Sequence, residues 1–440
     1  MPTSRLLAYF NLVNNDEHAK LPKGQGNKLY YIDGKAGCGK TYTLNALIQL
    51  LEADGKKVLS TASTGIAATL LKHGRTAHSL FCLPIKRLHE LNASRYALEC
   101  VERLLRDVAA PSLAHALFGG VTIILGGDWC QFLPVIQGGT RQETLDTTCK
   151  SSHLWKHFIT FMLDENLRLD KSEIDYARWL LFVGAGKNYC DDENILLPLS
   201  MCMTNEDDII NWIYTPEVLA DSSMLAKVAL LTVRNCDVEE LNIKVLKKLP
   251  GTALYLTGID TPSVEEDGLS GLPCDNEEYF HKLMPAALPP HSLRIKIGSI
   301  IMLLRNLDVT AQLCNGTRLI LLSILNDGKL LVCKNLINGK IAFIQRMNLD
   351  YTNEKTGISF RRLQFPIRLA FCMTINKSQG QTFDKVGVIL RTPSFAHGST
   401  YVALSRCTTS HGIKVTRNWS DAVPLAPKIR NVVYDEITNS

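Results

Sequence analysis

Four residues near the start of the chain have the types and spacing of a phosphate-binding loop. Gly34, Gly39, Lys40 and Thr41 match the pattern G-x-x-x-x-G-K-[ST]. The glycines let backbone N–H groups close around phosphates at a helix N-terminus, and the lysine ammonium can reach the β and γ oxygens. The threonine hydroxyl can bind Mg²⁺. The sequence therefore predicts a site for ATP and Mg²⁺, formed by Gly34, Gly37, Cys38, Gly39, Lys40, Thr41 and Tyr42.

A loop of this kind has to join a strand to a helix. Residues 29–32, LYYI, form an apolar run of strand type, and Leu44, Leu47, Ile48 and Leu51 recur at helical spacing. Gly55 is expected to end this helix, and a second strand is expected at 58–62. Strand, helix and strand then predict a right-handed βαβ unit that starts a parallel sheet. The alternative is a glycine-rich strand-to-helix turn that binds no ligand.

Length and composition indicate a globular protein of two or three domains. The chain has 440 residues, 46% of them hydrophobic, and a net charge of +5, which permits a polyanionic partner without requiring one. Its 13 cysteines show no C-x-x-C and no Cys/His ligand spacing, which disfavours a zinc site and a disulfide framework. The N-terminal 20 residues contain neither a signal peptide nor a run that could span a bilayer. We therefore expect a soluble intracellular protein with no membrane partner.

The rest of the chain continues in the same α/β style with one interruption. A helix is expected at 95–107 and strands in VTIILGGDWCQFLPVI and FITFMLDENLRL, and residues 228–251 read as strand, turn and helix. Asn235 or Asp237 is available to cap that helix. Between about 293 and 366 the pattern changes to short β runs joined by Asp-Gly and Asn-Gly turns, which predicts a small barrel or antiparallel insert.

Several further segments occur in an order typical of one enzyme family. They are GKAGCGKT, STGIAATLL with GRTAHS, GGDWCQFLPV, ENLRL, LCNGTRLI, MTINKSQGQT and YVALSRC. From about residue 29 to 415 the chain resembles the PIF-type DNA helicases, particularly their Helitron-transposon branch. The resemblance implies a superfamily-one motor in which two RecA-like domains clamp ATP. Single-stranded DNA would lie across both domains and be translocated from 5′ to 3′.

The resemblance also assigns roles around the nucleotide. Gln131, after Gly-Gly and a strand, suits orientation of the attacking water, and Asp128 is expected to brace its loop or bind Mg²⁺. Arg168 and Arg406 match the family's γ-phosphate arginines, which stabilise transition-state charge. With Lys40 these form the expected catalytic set, and Gly380 is expected to contact nucleotide. The alternatives are a polar strand-end turn for the aspartate and glutamine, and surface ion pairs for the arginines.

Contacts to DNA are assigned in the same way. Small polar groups and glycine after an apolar strand suit contact with a DNA backbone irrespective of sequence. The predicted DNA-binding residues are Thr64, Gly65, His78, Ser79, Asn376, Lys377, Ser378 and Gln379. Trp129 and Phe132 are better explained by core packing than by base stacking.

Two features depart from the family pattern. A P-loop ATPase normally has a second strand that ends in an acidic pair and holds Mg²⁺. Residues 80–120 contain no apolar run ending in Asp-Glu, so the strand is interpreted as missing, and Asp164 and Glu165 are a less favoured substitute. The glutamine motif that reads adenine is also missing, since Gln25 lies in an unsuitable turn. Hydrolysis is therefore expected to be impaired to an unknown degree.

The sequence thus predicts two RecA-like P-loop NTPase domains with a small β-rich insert. The expected ranges are 1–170 for the first domain, 171–305 and 363–440 for the second, and 306–362 for the insert. The leading hypothesis is an ATP-dependent 5′–3′ DNA helicase acting on single-stranded and duplex DNA. By resemblance it would lie in the nucleus and serve repair, recombination or telomere maintenance. The alternatives are a catalytically inactive transposon-derived binding protein and a generic P-loop NTPase.

Overall fold

The computed structural model describes most of the chain. The ranges described are 29–83, 94–134, 136, 138–262, 277–283, 285, 288–353, 358–419 and 422–438. The expectations for the first 28 residues, including the turn at Gln25, lie outside them. The described cysteines are all free thiols. No helix within these ranges combines the length and the apolar character needed to cross a membrane.

Thirteen α-helices are present in the described ranges. They are α1 (Lys40–Ala53), α2 (Gly65–Thr69), α3 (Ala77–Phe81), α4 (Arg95–Asp107), α5 (Arg141–Thr147), α6 (Ile174–Ala185), α7 (Glu206–Ile213), α8 (Pro216–Ala220), α9 (Ser222–Ala226), α10 (Asn235–Lys248), α11 (Glu277–Lys282), α12 (Ser399–Leu404) and α13 (Asp435–Thr438).

The β-strands of the described ranges belong to the first domain, the insert and the second domain. They are β1 (Leu29–Gly34), β2 (Thr61–Ala62), β3 (Arg75–Thr76), β4 (Ile123–Gly127), β5 (Ile159–Leu163), β6 (Tyr189–Asp191), β7 (Asn194–Leu196), β8 (Val228–Thr232), β9 (Leu254–Thr257), β10 (Ile259–Pro262), β11 (Ser292–Ile295), β12 (Ile300–Leu303), β13 (Arg318–Leu325), β14 (Leu330–Asn335), β15 (Ile341–Gln345), β16 (Met347–Asn353), β17 (Ile358–Gln364), β18 (Ile367–Leu369), β19 (Cys372–Thr374), β20 (Lys385–Ile389), β21 (Ile413–Thr416) and β22 (Lys428–Arg430).

The first domain is built on a parallel sheet of order β4-β1-β5. Its central strand β1 leads into the predicted loop and α1, as the sequence indicates. Ile32, Leu47 and Phe161 pack between the sheet and the helix. Within the described ranges β4 pairs with β1 alone, so its other edge has no partner strand there.

Two sequence expectations about neighbouring elements were wrong. The strand expected at 58–62 is only the two-residue β2, which pairs with β3 and does not join β1. Leu59 is 68% exposed, and a strand inside a parallel sheet has to be buried on both faces. For α10, the N-cap is Arg234 without a side-chain hydrogen bond, and neither Asn235 nor Asp237 caps it.

The second domain contains a parallel sheet of order β19-β8-β20-β21. All five residues of β8 are buried, as expected for a strand covered on both faces. The strands come from both sides of the insert in sequence, and α7 and α10 pack against the sheet. A single hydrophobic cluster runs through this domain and into the insert.

The insert is antiparallel, as its turn residues predict. A five-stranded sheet has the order β15-β14-β13-β12-β18, and a second has the order β10-β17-β16. The tight turns use left-handed backbone at Asp327, Gly328 and Gly339, which suits the Asp-Gly and Asn-Gly pairs. Strand pairing extends beyond 306–362 because β12 and β18 share the larger sheet. The boundaries of the insert therefore stay a prediction.

A buried polar cluster joins α11 to the insert. Arg362 donates from Nε and Nη2 to the two carboxylate oxygens of Asp260, at 2.7 and 2.8 Å. Nδ1 of His291 lies 3.0 Å from the same carboxylate, and its ring stacks on His281 at 3.7 Å between centroids. Because the arginine donates to both oxygens of Asp260, this cluster is a hydrogen-bonded clip between α11, β10 and β17.

Candidate nucleotide site at the domain interface

The loop between β1 and α1 adopts the conformation that its glycines allow. Gly39 caps α1 with φ +74°, and Gly37 has φ +87°. A Cβ added to Gly37 would lie 2.7 Å from Oδ1 of Asn166 and 2.8 Å from Cβ of Arg168. The backbone angle and this close approach both exclude a side chain at Gly37.

Lys40 is folded back onto its own loop. Its ammonium donates to the carbonyl oxygens of Gly34 and Lys35, the second at 2.9 Å. The Asp128 carboxylate lies 4.0 Å away. Burial lowers the pKa of Lys40, and Asp128 opposes that shift. The ammonium is therefore held by neighbouring oxygens that a phosphate could replace.

The other predicted loop residues differ in exposure. Cys38 is buried, and burial raises the pKa of its thiol. Thr41 is exposed in the first turn of α1, and the adjacent Tyr42 is 69% exposed. The threonine hydroxyl is thus accessible from solvent at the mouth of the loop.

Two carboxylates act on Lys40. Asp33 is the last residue but one of β1, and Asp128 directly follows β4. Because the parallel register pairs Asp33 with Gly127, both carboxylates lie at the carboxyl end of the sheet. Oδ1 of Asp33 is buried and finds no hydrogen-bond partner in the described part of the chain, and burial raises its pKa. The substitutes considered from the sequence, Asp164 and Glu165, are exposed. Asp33 belongs to none of the motif positions and was not predicted as a site residue.

The groups near the loop fit a hydrated magnesium ion. Mg²⁺ takes oxygen ligands and keeps several waters, so one hydroxyl and one carboxylate suffice on the protein side. Thr41 and Asp128 carry the hydroxyl and the carboxylate, and their role as magnesium ligands stays a prediction. An acidic pair on a separate strand is not found in the described ranges.

A chain of hydrogen bonds leads from this site into the second domain. Nε2 of Gln131 donates to Oδ2 of Asp128 at 2.7 Å, and its Oε1 accepts from Nε2 of Gln379 at 2.9 Å. Gln379 was predicted to contact DNA, and here its amide contacts Gln131. Two side-chain hydrogen bonds therefore connect the NKSQGQT segment to Asp128, which lies 4.0 Å from Lys40.

Tyr401 makes a second connection between the domains. Its hydroxyl accepts a hydrogen bond of 2.7 Å from the backbone N–H of Ala36 and lies 3.5 Å from Oδ2 of Asp128. The side chain is 2% exposed, and burial, followed by the charge of Asp128, raises its pKa well above the ordinary tyrosine value. The tyrosine stands in YVALSRC, but only the arginine of that segment was singled out from the sequence.

The guanidinium groups of Arg168 and Arg406 donate to groups of the second domain, and no hydrogen bond from either to the loop of Lys40 is seen in the described ranges. Nη1 of Arg168 donates to the backbone oxygen of Ser405 at 2.8 Å. Arg406 is 1% exposed and donates to the carbonyl oxygens of Val402 and Gln381 and to Oγ of Ser405. Burial, and secondly the charge of Arg168, lowers the pKa of Arg406 to about 9. Arg406 therefore does not face solvent, and its role at the γ-phosphate stays a prediction.

The predicted DNA contacts of the first domain lie near α2 and α3. Thr64 caps α2 by accepting from the N–H of Ala67, and a Cβ on Gly65 would meet Cβ of Cys314 in the insert at 2.7 Å. Nε2 of His78 is buried without a partner in the described ranges, and burial lowers the pKa of the ring. Ser79 is exposed and accepts from Arg75.

The predicted DNA-contacting residues of the second domain lie in the turn after β19. Asn376 and Lys377 are exposed, and the lysine donates to Oδ1 of Asn315 at 2.9 Å. Ser378 is buried, and its hydroxyl donates to the carbonyl of Ile375, so it shapes the turn and is not presented to a DNA backbone. Gly380 has φ +82°, and the nearest atom to an added Cβ belongs to Ile66, 4.0 Å away. Its expected contact with nucleotide stays a prediction.

Comparison with known proteins identifies proteins whose sequences are similar to most of this chain. A family model described as PIF1-like helicase matches residues 16–94 and 90–194, and one described as the 2B domain of DNA helicase Pif1 matches 278–324. The human ATP-dependent DNA helicase PIF1 is 26% identical over 438 residues, covering 92% of this chain and 60% of its own length. The chain thus spans about three fifths of that relative's length. The Bdellovibrio bacteriovorus Pif1 is 26% identical over 427 residues, covering 91% and 86%.

Solved structures agree in fold. A Bacteroides Pif1 bound to ssDNA has a TM-score of 0.59 at 24% identity and covers 88% of each chain. A Bacteroides Pif1 with ADP-AlF3 and ssDNA has a TM-score of 0.60 at 24% identity, covering 95% of this chain and 93% of its own. The predicted fold class is confirmed: two RecA-like domains with an inserted β-rich domain.

Proposed function

The chain belongs to the PIF1-like helicase family, and from this premise we propose that it is an ATP-dependent DNA helicase. It would couple ATP hydrolysis to 5′–3′ translocation on single-stranded DNA and to unwinding of duplex DNA. The direction of movement, a nuclear location and roles in repair, recombination or telomere maintenance are parts of this proposal that depend on the family resemblance.

The observation that carries the proposal is the polar connection between the two domains. Asp128, 4.0 Å from Lys40, is joined through Gln131 to Gln379 in the segment expected to meet DNA. A motor needs such a route because nucleotide state has to alter contacts with the polynucleotide. A generic P-loop NTPase has no need of the glutamine from the second domain.

The protein's own residues would divide the work as follows. Lys40 would leave the carbonyl oxygens of Gly34 and Lys35 for the β and γ oxygens of the triphosphate. Gln131 would orient the attacking water. The two buried arginines, Arg168 and Arg406, would supply positive charge to the γ-phosphate when the domains close.

Magnesium fits this arrangement with a reduced set of ligands. Thr41 and Asp128 would hold Mg²⁺, which would supply positive charge against that of the phosphates. Since a separate acidic pair is not found in the described ranges, we propose slower turnover than a complete acidic pair would support.

One observation favours a second function. The unpartnered edge of β4 in the described ranges is where a strand bearing the acidic pair would be accommodated. A chain lacking that strand could bind nucleotide and DNA without hydrolysis. The second candidate is therefore a catalytically inactive, transposon-derived binding protein.

ATP turnover with and without single-stranded DNA separates these functions. We expect DNA-stimulated release of phosphate that Lys40→Ala abolishes. Lys35→Ala, which removes a neighbouring ammonium from the same loop, is the matched control and should retain most activity. ATP binding without turnover would support the inactive protein, and turnover indifferent to DNA would support a generic NTPase.

A further inference from the structure

The loop that should receive phosphates is closed by groups of the protein itself. The N–H of Ala36 donates to Tyr401, and its carbonyl accepts from Nδ2 of Asn166 at 3.3 Å. The carbonyl of Gly37 accepts from the N–H of Leu167 at 2.8 Å. With Lys40 directed at two loop carbonyls, two donors of the site, the Ala36 N–H and the Lys40 ammonium, already have partners within the protein.

Among these contacts the one from Tyr401 has a special origin, because it comes from the second domain. Tyr401 lies in α12, all six residues of which are buried. Its ring packs against α6, where a Cβ on Gly184 would come within 3.0 Å of Cδ2. The hydroxyl therefore cannot leave Ala36 unless α12 moves relative to the first domain.

The same helix leads directly to the catalytic arginine. Arg406 follows Tyr401 by five residues, and its Nε donates to Val402 within α12. Arg168 contacts Ser405 at the end of that helix. A movement that releases the tyrosine thus also shifts the backbone that positions both arginines.

We propose that Tyr401 is a latch that competes with the triphosphate for the loop and transmits its release to the arginine-bearing helix. This rests on the proposed function. A charged phosphate oxygen is a better acceptor for a backbone N–H than a neutral phenol, so nucleotide can displace the latch. While engaged, the latch lowers nucleotide affinity by about the value of one neutral hydrogen bond.

Equilibrium binding of MgADP and MgATP by the full chain tests the latch. Tyr401→Phe keeps the ring and removes the hydroxyl, so we expect affinity to rise about fivefold. Tyr176→Phe is the matched control, because it removes a buried phenol bonded to the carbonyl of Leu404 in the same helix without touching the loop. Its affinity should equal that of the parent, and both variants should retain the parent's circular dichroism.

Each outcome has a distinct meaning. If the parent binds nucleotide in a Lys40-dependent way and Tyr401→Phe binds equally or more weakly, the latch is wrong and the proposed function stands. A similar gain in Tyr176→Phe would also overturn the latch, since loosening of α12 would then explain it. If neither the parent nor Tyr401→Phe binds nucleotide, the proposed function fails and the latch fails with it.

Discussion

At the scale of single residues, the hydrogen bond between Gln131 and Gln379 connects the proposed nucleotide site to the segment proposed to contact DNA. We expect Gln379→Ala to lower DNA-stimulated ATP turnover about fivefold, the effect of one lost hydrogen bond, while DNA-independent turnover changes less. Combining it with Gln131→Ala should add little to the effect of Gln131→Ala alone, because both remove the same contact. Steady-state ATPase assays over a range of DNA concentrations measure this coupling.

The neighbouring Gln381 offers a matched control. Its amide donates to the carbonyl of Lys377 in the same turn, and no side-chain bond to the first domain is seen for it in the described ranges. Gln381→Ala should therefore leave stimulation by DNA nearly unchanged. Fully additive losses in the double variant would show that the two glutamines act separately.

The residues predictable from sequence were those whose role is local. The spacing of Gly34, Gly39 and Lys40 fixes a loop within eight positions, so the pattern alone was enough to locate it. Tyr401 contacts Ala36 across 365 positions, and only tertiary packing brings them together. Arg406 matches a motif, but its hydrogen bonds go to Val402, Gln381 and Ser405 of its own domain. Its distance from the loop of Lys40 depends on the relative position of two domains, which a sequence pattern does not specify.

At the scale of elements, the clip formed by Arg362 and Asp260 ties α11 and β10 to β17. Arg362 is 0% exposed and also donates to the carbonyls of Phe280 and Pro289. Arg362→Leu would leave a buried carboxylate and carbonyls without partners, so we expect a loss of about 3–5 kcal/mol in the free energy of unfolding. Urea denaturation measures the loss.

The preceding residue serves as the control. Arg361 pairs with Asp350 at 2.6 Å, but both side chains are more than half exposed. Exposed pairs contribute less than about 1 kcal/mol, so Arg361→Ala should be nearly neutral. Equal losses at both positions would contradict the interpretation that burial makes the clip important.

A second cluster holds α7, α10 and the end of β20 together and should respond to pH. Burial tends to raise the pKa of Glu206, but paired hydrogen bonds from Arg391 and one from Lys244 outweigh this and lower it to about 2. The stabilisation is complete above the ordinary glutamate pKa of about 4.5 and is lost as pH falls from there toward 2, because the unfolded state takes up the proton first.

Glu206→Gln is expected to lower stability by about 2 kcal/mol at pH 7 and by progressively less below pH 4.5. Denaturation at a series of pH values measures the free energies of unfolding of the parent and of Glu206→Gln, which should converge as the pH falls. Asp207→Asn, at an exposed neighbour 3.6 Å from Lys244, should follow the parent at every pH. A difference for Glu206→Gln that does not shrink in acid would exclude this origin.

The elements that sequence analysis located well were those with strong local signals. The helix at 95–107 and the hairpins of the insert follow from apolar periodicity and from Asp-Gly and Asn-Gly turns. The failure at 58–62 has a different cause, because an apolar run enters a sheet only if a place beside another strand is free and covered. β1 is already flanked by β4 and β5.

At the scale of the whole molecule, apolar packing is unevenly distributed. The large cluster covers the second domain and the insert, whereas the first domain depends on smaller separate clusters around β1 and α4. Its sheet has three strands in the described ranges, against four parallel strands in the second domain.

Because the sheet beneath Lys40 is short, we expect the first domain, which carries the proposed ATP site, to unfold at a lower temperature than the second domain. On slow heating we expect two calorimetric steps, with the lower one assigned to the first domain by early proteolytic cuts near β4. Saturating MgATP should raise that lower step by several degrees and leave the upper one in place, because a ligand stabilises only the unit that binds it. Bound ATP would then stabilise the fold of the first domain as well as drive the proposed activity. The first domain would therefore lose stability whenever ATP becomes scarce.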